Sequence, residues 1–116
     1  MITQEQYTMM SELEKKVASW LSRNKISFDA QVPMFGASGE LGSATVDFIL
    51  RERNLIMRCM GSYWHSGAEA KARDLFGREQ LVNKGYIVVD LQEEDLADDK
   101  ITHTLRLALE GQEILK

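Results

Sequence analysis

The most unusual polar residue in the sequence is Asp47, which interrupts the apolar segment Val46-Asp47-Phe48. Placing a charged group in an apolar strand costs free energy unless the charge is paired or binds a cation. Asp47 is therefore a candidate metal ligand. The alternative is that Asp47 points to solvent and alternates with its apolar neighbours, as a half-buried strand allows. The spacing alone leaves the two interpretations equally open.

A second group of candidate residues, Gly61 to His65, follows the end of an apolar segment and contains two large aromatic side chains before the histidine. Sites in open α/β sheets are usually built at strand ends. His65 titrates near neutrality and can act as a general acid or base. Asp74, at the start of the next predicted helix, could hydrogen-bond the imidazole of His65. Alternatively, the aromatics and His65 belong to a loop or the core, and Asp74 pairs with Arg78 at i+4.

The spacing of apolar residues predicts the elements that would position these candidates. Apolar residues recur with helical or strand periodicity in seven segments, joined by segments rich in turn-forming residues. The prediction is a mixed β-sheet flanked by helices, an α/β fold in the order α-β-β-β-α-β-α. The predicted segments are a helix over 3–24, strands over 27–34, 44–50 and 55–59, a helix over 67–84, a strand over 86–91 and a helix over 101–111.

Several local features sharpen this prediction. Thr3 and Gln6 have the spacing of a helix-capping box, and Pro33 indicates a strand end or an edge strand. Gly85 is suited to the left-handed residue that follows a helix. Two apolar stripes are predicted to be buried. The first helix contributes Leu13, Val17, Trp20 and Leu21, and one face of the first strand contributes Phe28, Ala30, Val32 and Met34.

Composition limits the class of protein. A chain of 116 residues with 44% hydrophobic and 28% charged residues is typical of one soluble globular domain, here spanning residues 1–116. The absence of a long apolar segment or an apolar leader predicts a cytoplasmic protein with no membrane partner. The single cysteine, Cys59, excludes an intramolecular disulfide and a multi-cysteine zinc site.

The charge balance argues weakly against nucleic-acid binding. The formal net charge is −4 and the pI is about 5.2, whereas affinity for phosphates comes largely from Lys and Arg. A local basic face can nevertheless coexist with an acidic remainder. Its candidates are Arg51, Arg53, Arg58, Lys71, Arg73 and Arg78.

Taken together, these residues resemble the very-short-patch repair endonucleases of the restriction-endonuclease-like superfamily. Residues 55–65 resemble that family's apolar strand followed by glycine, a small residue, an aromatic, tryptophan and histidine. Residues 13–19, with Glu14, resemble its first helix, and Asp47 stands twelve residues before Cys59, as the family pattern requires. Arg73-Asp74 and residues 81–89 resemble its later helix and strand. The order glutamate, aspartate, histidine, aspartate also marks a related homing-endonuclease group.

The resemblance implies a role for each matching residue. Asp47 and the main-chain carbonyl of Cys59 would ligate Mg²⁺ or Mn²⁺, and Glu14 would approach the metal or its water. His65 would handle the proton of the attacking water, and Asp74 would orient His65. The resemblance implies DNA contacts for Tyr63 and Trp64, and the local basic face adds Arg58, Lys71 and Arg73 as expected contacts. The implied activity is metal-dependent hydrolysis of DNA phosphodiester bonds.

The sequence also departs from the family pattern. The superfamily usually has an acid and a lysine on the second core strand, where this chain has Arg58, Cys59 and Met60. With one cysteine and two histidines it also lacks the residues for the family's structural zinc site.

Three functional hypotheses remain. The first is a minimal DNA endonuclease or nickase from a phage or mobile element, acting as a homodimer or beside a targeting partner. The second is a nuclease-fold module that has lost activity and binds DNA or a protein. Arg58 and Met60 on the core strand favour it, because a cation near the metal would compete with it. The third, based only on the acidic pI, is a globular protein without a nucleic-acid role.

Overall fold

The computed structural model describes residues 10–35, 43–60 and 68–112, with side chains described in these ranges except at 33–35, 43–46, 68–71, 73 and 74. Its elements follow the predicted order α-β-β-β-α-β-α, which confirms the predicted fold class. None of the helices in these ranges is long and apolar enough to cross a membrane. The elements are α1 (Glu12–Arg23), β1 (Asp29–Phe35), β2 (Ser43–Leu50), β3 (Leu55–Met60), α2 (Ala68–Asn83), β4 (Ile87–Gln92) and α3 (Ile101–Leu109).

The four strands form one mixed sheet in the order β1-β2-β3-β4. β1, β2 and β3 are antiparallel neighbours, and β4 adds in parallel to β3. β1 is an edge strand, which explains how it accommodates Pro33. The turn between β2 and β3 ends at Asn54, whose side chain donates to the carbonyl of Gly85 and whose carbonyl accepts from Ile87 N at 2.9 Å. These bonds tie the hairpin to the start of β4.

The main core lies between one face of the sheet and helices α1 and α3. Val17, Trp20 and Leu21 of α1 are buried there, as predicted, and Leu13 packs against them partly buried. The Trp20 indole nitrogen donates to the Thr102 hydroxyl at 3.1 Å, which links the two helices. This face of the sheet is therefore held between two helices, one of which carries Glu14.

Helix α2 covers the opposite face through a smaller apolar cluster of Ile49, Ile56, Leu81 and Val88. Of the apolar residues that predicted this helix, Leu81 is buried, whereas Leu75 and Val82 are 62% and 49% exposed. Gly85, which follows the helix, has the predicted left-handed backbone with φ of 98°.

Ion pairs supplement the small cluster under α2. Arg58 on β3 and Arg78 on α2 both bind Asp90 on β4, at 2.6 and 2.8 Å. Burial by itself raises the pKa of Asp90, but hydrogen bonds and charge from the two arginines outweigh it and hold that pKa below its ordinary value. Arg78 also donates to the Val88 carbonyl at 3.0 Å. A charged network therefore fastens α2 to the sheet.

The helix that carries Glu14 begins later than predicted. Ser11, with an extended backbone at φ −68° and ψ 165°, is the N-cap of α1. Its hydroxyl accepts from the Glu14 N–H at 3.2 Å, and its own N–H donates to Glu14 Oε1 at 3.0 Å. The prediction of one continuous helix from Thr3 is wrong because Ser11 interrupts it, and the predicted cap at Thr3 and Gln6 lies outside the described residues.

The prediction of a single buried face for the first strand is also wrong. Phe28 and Ala30 belong to the main core, but Val32 packs against the cluster on the other side of the sheet. Between them, Gln31 has a φ of 52°, in the left-handed region. This conformation inverts the alternation of side chains along β1. The glycine-rich segment 36–42 lies outside the described residues.

We expect Asp90→Ala to destabilise the fold far more than Asp29→Ala. Asp90 is 15% exposed and binds two arginines, so its removal leaves two partly buried guanidinium groups without this carboxylate. The expected loss is about 3 kcal/mol or more. Asp29 forms a pair with Arg51 in which both side chains are well exposed, and its loss is expected to cost less than about 1 kcal/mol. Urea unfolding of both variants measures the difference, and equal losses would contradict it.

Candidate functional site

The carboxylate of Asp47 occupies a gap between two neighbouring strands. Pairing between β2 and β3 runs from Leu50↔Leu55 to Phe48↔Met57. Beyond that pair, the Cys59 N–H donates to Asp47 Oδ2 at 2.7 Å. The side chain of Asp47 therefore takes the place of a main-chain partner in the sheet. This geometry argues against the alternative in which Asp47 is a solvated residue on a half-buried strand.

Glu14 brings a second carboxyl group to the same place. It is the third residue of α1 and lies in hydrogen-bonding contact with Asp47. One of its oxygens is held by the Ser11 N–H, so the capping box that starts the helix also orients this side chain. The fold therefore brings together three candidate residues that span 46 positions of the sequence, Glu14, Asp47 and Cys59.

The environment of Asp47 favours its protonated form. Burial is the largest cause, and together with the charge and hydrogen bond of Glu14 it raises the pKa of Asp47 to about 7. The Cys59 N–H and the charge of Arg58 act in the opposite direction. Two adjacent carboxyl groups resist simultaneous ionisation. A divalent cation between them would remove that repulsion, and this is the physical sense in which the pair fits a metal.

Cys59 contributes its backbone to the site. Burial raises the pKa of its thiol well above the ordinary value, and the charges of Asp47 and Glu14 raise it further, so the thiolate is strongly disfavoured. In a strand, the N–H and C=O of one residue point toward the same neighbouring strand. Because the Cys59 N–H points to Asp47, its carbonyl oxygen is expected to face the same gap.

The available donors suit a hard cation. Among the side chains that the structure describes, no three from His, Cys, Asp or Glu are grouped closely enough to form a metal cluster. Two carboxyl groups and a main-chain carbonyl remain, all oxygen donors. Mg²⁺ accepts such a set because it is usually bound by one or two carboxylates and keeps several waters.

The remaining candidate residues are not positioned by the structure. His65, Tyr63 and Trp64 lie in segment 61–67, outside the described residues. Lys71, Arg73 and Asp74 belong to helix α2, but their side chains are also outside what is described. Their convergence on Asp47 stays a prediction.

Arg58 was expected to contact DNA, and its side chain is engaged elsewhere in the fold. Its guanidinium binds both oxygens of Asp90, at 2.6 and 3.0 Å, and is 14% exposed. Arg78, the proposed alternative partner of Asp74, binds the same carboxylate. Contact between Arg58 and DNA stays a prediction, and it would require the DNA to reach a largely buried ion pair.

Two residues that support the site were missed from the sequence. Ser11 could have been found, because Ser11 and Glu14 have capping-box spacing just before the apolar stripe of α1. Gln31, next to Asp47 across the β1–β2 pairing, has no local signal that predicts a left-handed backbone.

The raised pKa of Asp47 predicts how stability depends on pH in the absence of metal. An acid whose pKa is higher in the folded than in the unfolded chain binds more protons when folded, so stability falls as pH rises. As the pH rises from about 4 to about 8, the free energy of unfolding should therefore fall less in Asp47→Asn than in the wild type. Urea unfolding in EDTA measures this. Asp98→Asn, at a side chain 98% exposed, is the control, and a wild-type stability that rises over this range would contradict the prediction.

Comparison with known proteins identifies the fold. No protein-family model matches the chain, and no curated protein matches it. Among solved structures, the chain is similar to the catalytic domain of the homing endonuclease I-Bth0305I, with a TM-score of 0.63 and 23% identity. The match covers 84% of this chain and 92% of that domain. The chain therefore has the fold of a homing-endonuclease catalytic domain, with a four-stranded mixed sheet flanked by helices.

Proposed function

We propose that this chain is a metal-dependent DNA endonuclease or nickase related to the very-short-patch repair enzymes. The observation that carries the proposal is the carboxylate of Asp47, held in an interstrand gap by the Cys59 N–H and beside Glu14. A fold that holds two adjacent, partly buried acids maintains an electrostatic cost, which is typical of functional sites. The similar fold of a homing-endonuclease catalytic domain supports DNA as the substrate.

The proposed roles follow from the donors in the gap. Asp47, Glu14 and the Cys59 carbonyl would hold Mg²⁺ or Mn²⁺. The bound cation supplies positive charge to the phosphate as negative charge develops there during hydrolysis. His65 takes the proton of the attacking water, and Asp74 orients the His65 imidazole. Ser11 fixes one oxygen of Glu14.

DNA binding by an acidic chain requires local positive charge. Arg58 and Arg78 bring two guanidinium groups to the α2 face of the sheet, where both bind Asp90. Lys71 and Arg73 lie on the same helix as Arg78 and would extend the positive surface. Tyr63 and Trp64 would contact bases. In the full proposal, residues 1–116 act as one domain, as a homodimer or with a separate targeting partner.

The second candidate function is a nuclease-fold module that binds DNA or a protein without cutting. One observation favours it: the charge of Arg58 reaches Asp47, as its effect on the pKa of Asp47 shows. A nearby cation weakens metal binding by repulsion. The two functions differ in metal dependence, because the binding module would neither take up Mg²⁺ at Asp47 nor hydrolyse DNA.

The central test is cleavage of supercoiled plasmid in Mg²⁺ or Mn²⁺. We expect the wild-type chain to nick or linearise the plasmid, and Asp47→Ala and His65→Ala each to lower the rate by about a hundredfold or more. Asp98→Ala, at an exposed acid outside the site, should cut at the wild-type rate. Folded wild-type protein that cuts with neither metal would refute the nuclease and favour the binding module.

A second measurement separates metal binding from catalysis. At about pH 8, Mg²⁺ or Mn²⁺ should raise the melting temperature of the wild type, because the cation binds the ionised site in the folded state only. Asp47→Asn should show a much smaller rise. An equal rise in both proteins would place the metal elsewhere.

Cys59→Ala should retain most of the cutting rate, since the proposal uses the main chain of Cys59 and not its thiol. The comparison is the plasmid assay with Asp47→Ala measured in parallel. A loss as large as that of Asp47→Ala, in a folded protein, would show that the thiol takes part and that the assigned donor set is wrong.

A further inference from the structure

Gln31 has a strained backbone in the middle of a strand. Three non-glycine residues among those described have positive φ: Lys25 at 58°, Gln31 at 52° and Asn54 at 54°. Lys25 and Asn54 lie in turns, where the left-handed conformation reverses the chain. Gln31 lies within β1. Such outliers persist only where the surrounding structure holds them, and they cluster at functional sites.

Gln31 lies opposite Asp47. The β1–β2 pairing includes Ala30↔Phe48 and Val32↔Val46, and the residues between these pairs, Gln31 and Asp47, are not paired. The interruption of the edge strand therefore falls at the residue across from the buried carboxylate.

The main chain of Asp47 faces Gln31. The Cys59 N–H points to β2, so the Met57 N–H, two residues earlier on β3, also points to β2. Its partner Phe48 accordingly turns its N–H and C=O toward β3. Asp47, one residue before Phe48, turns its N–H and C=O toward β1. The conformation of Gln31 thus determines whether the main chain of Asp47 can pair as in a regular ladder.

A regular ladder would direct the Asp47 side chain to the face of the sheet opposite Glu14. Phe48 packs in the main core and Ile49 in the cluster under α2. Strict alternation would place the Asp47 side chain on the Ile49 face. Its carboxyl group instead contacts Glu14, whose helix packs on the main-core face, and the Cys59 N–H. Asp47 therefore departs from alternation at the same point where Gln31 inverts β1.

We propose that Gln31 is a positioning residue, whose left-handed backbone opens the β1–β2 ladder and lets Asp47 turn its carboxylate into the gap beside Glu14 and Cys59. The proposal deepens the proposed nuclease function. Only its cleavage measurement rests on that function. Its structural measurement needs neither metal nor DNA.

The test compares Gln31→Val with Gln31→Gly. Valine is branched at Cβ and disfavours positive φ, whereas glycine adopts it freely. Lys25→Val is the matched control, since it places the same residue at a similar φ in a turn after α1. If Gln31→Val does not fold, Gln31→Ala imposes a milder penalty of the same kind.

The structural readout is amide hydrogen exchange at Cys59 relative to Met57, which lies on the same strand and pairs within the regular part of the ladder. Gln31→Val should accelerate exchange at Cys59 relative to Met57 by about tenfold, the order of magnitude expected for losing one hydrogen bond. Gln31→Gly should keep the wild-type ratio. Lys25→Val should lower the melting temperature and also keep the ratio.

The cleavage readout should follow the same order, with Gln31→Gly cutting as the wild type does and Gln31→Val cutting slowly while still folded. A wild-type exchange ratio in folded Gln31→Val, or in Gln31→Ala where valine prevents folding, would overturn the positioning role. A wild-type chain that does not cut would refute the nuclease instead, and the exchange ratios would still decide the role of Gln31.

Discussion

The carboxyl group of Asp47 is the constraint around which the described structure is organised. A carboxylate between two strands of a sheet needs donors where water is scarce, and the Cys59 N–H supplies one because the β2–β3 ladder opens after Phe48↔Met57. A second carboxyl group, from Glu14, approaches the same gap from α1. The resulting repulsion and burial work against the stability of the fold. An arrangement of this kind is expected where function requires it, since packing alone would favour an apolar residue at position 47.

The two faces of the sheet perform different tasks. The main-core face, covered by α1 and α3, supplies most of the apolar burial and holds α1 in place, so that Glu14 meets Asp47. The opposite face has a small apolar cluster and depends on Asp90, with its two arginines, to hold α2. Strand alternation separates Arg58 from Cys59, so that adjacent residues in sequence serve opposite faces. Arg58 is thereby paired with Asp90 on the α2 face, while its charge still lowers the pKa of Asp47 in the gap.

This arrangement agrees with the fold shared with a homing-endonuclease catalytic domain. In the proposed enzyme, the gap between β2 and β3 collects oxygen donors, and Asp74 on helix α2 would orient His65. In that enzyme, Asp47 and Glu14 would add to the negative formal charge of the chain. They would not repel DNA once a cation is bound between them. The Arg78 and Asp90 contacts would matter for chemistry because they fix the helix on which Asp74 lies.

The sequence by itself determined the order of the helices and strands, the buried stripe of α1 and the residues worth examining. Each of these depends on local periodicity or on a motif of fixed spacing. It did not determine where α1 begins, because Thr3 with Gln6 and Ser11 with Glu14 match the same capping pattern, and the structure places the N-cap at Ser11. Nor did it reveal the inversion at Gln31 or the sharing of Asp90 by two arginines. These features arise from contacts between strands and helices far apart in the chain, so only tertiary structure could decide them.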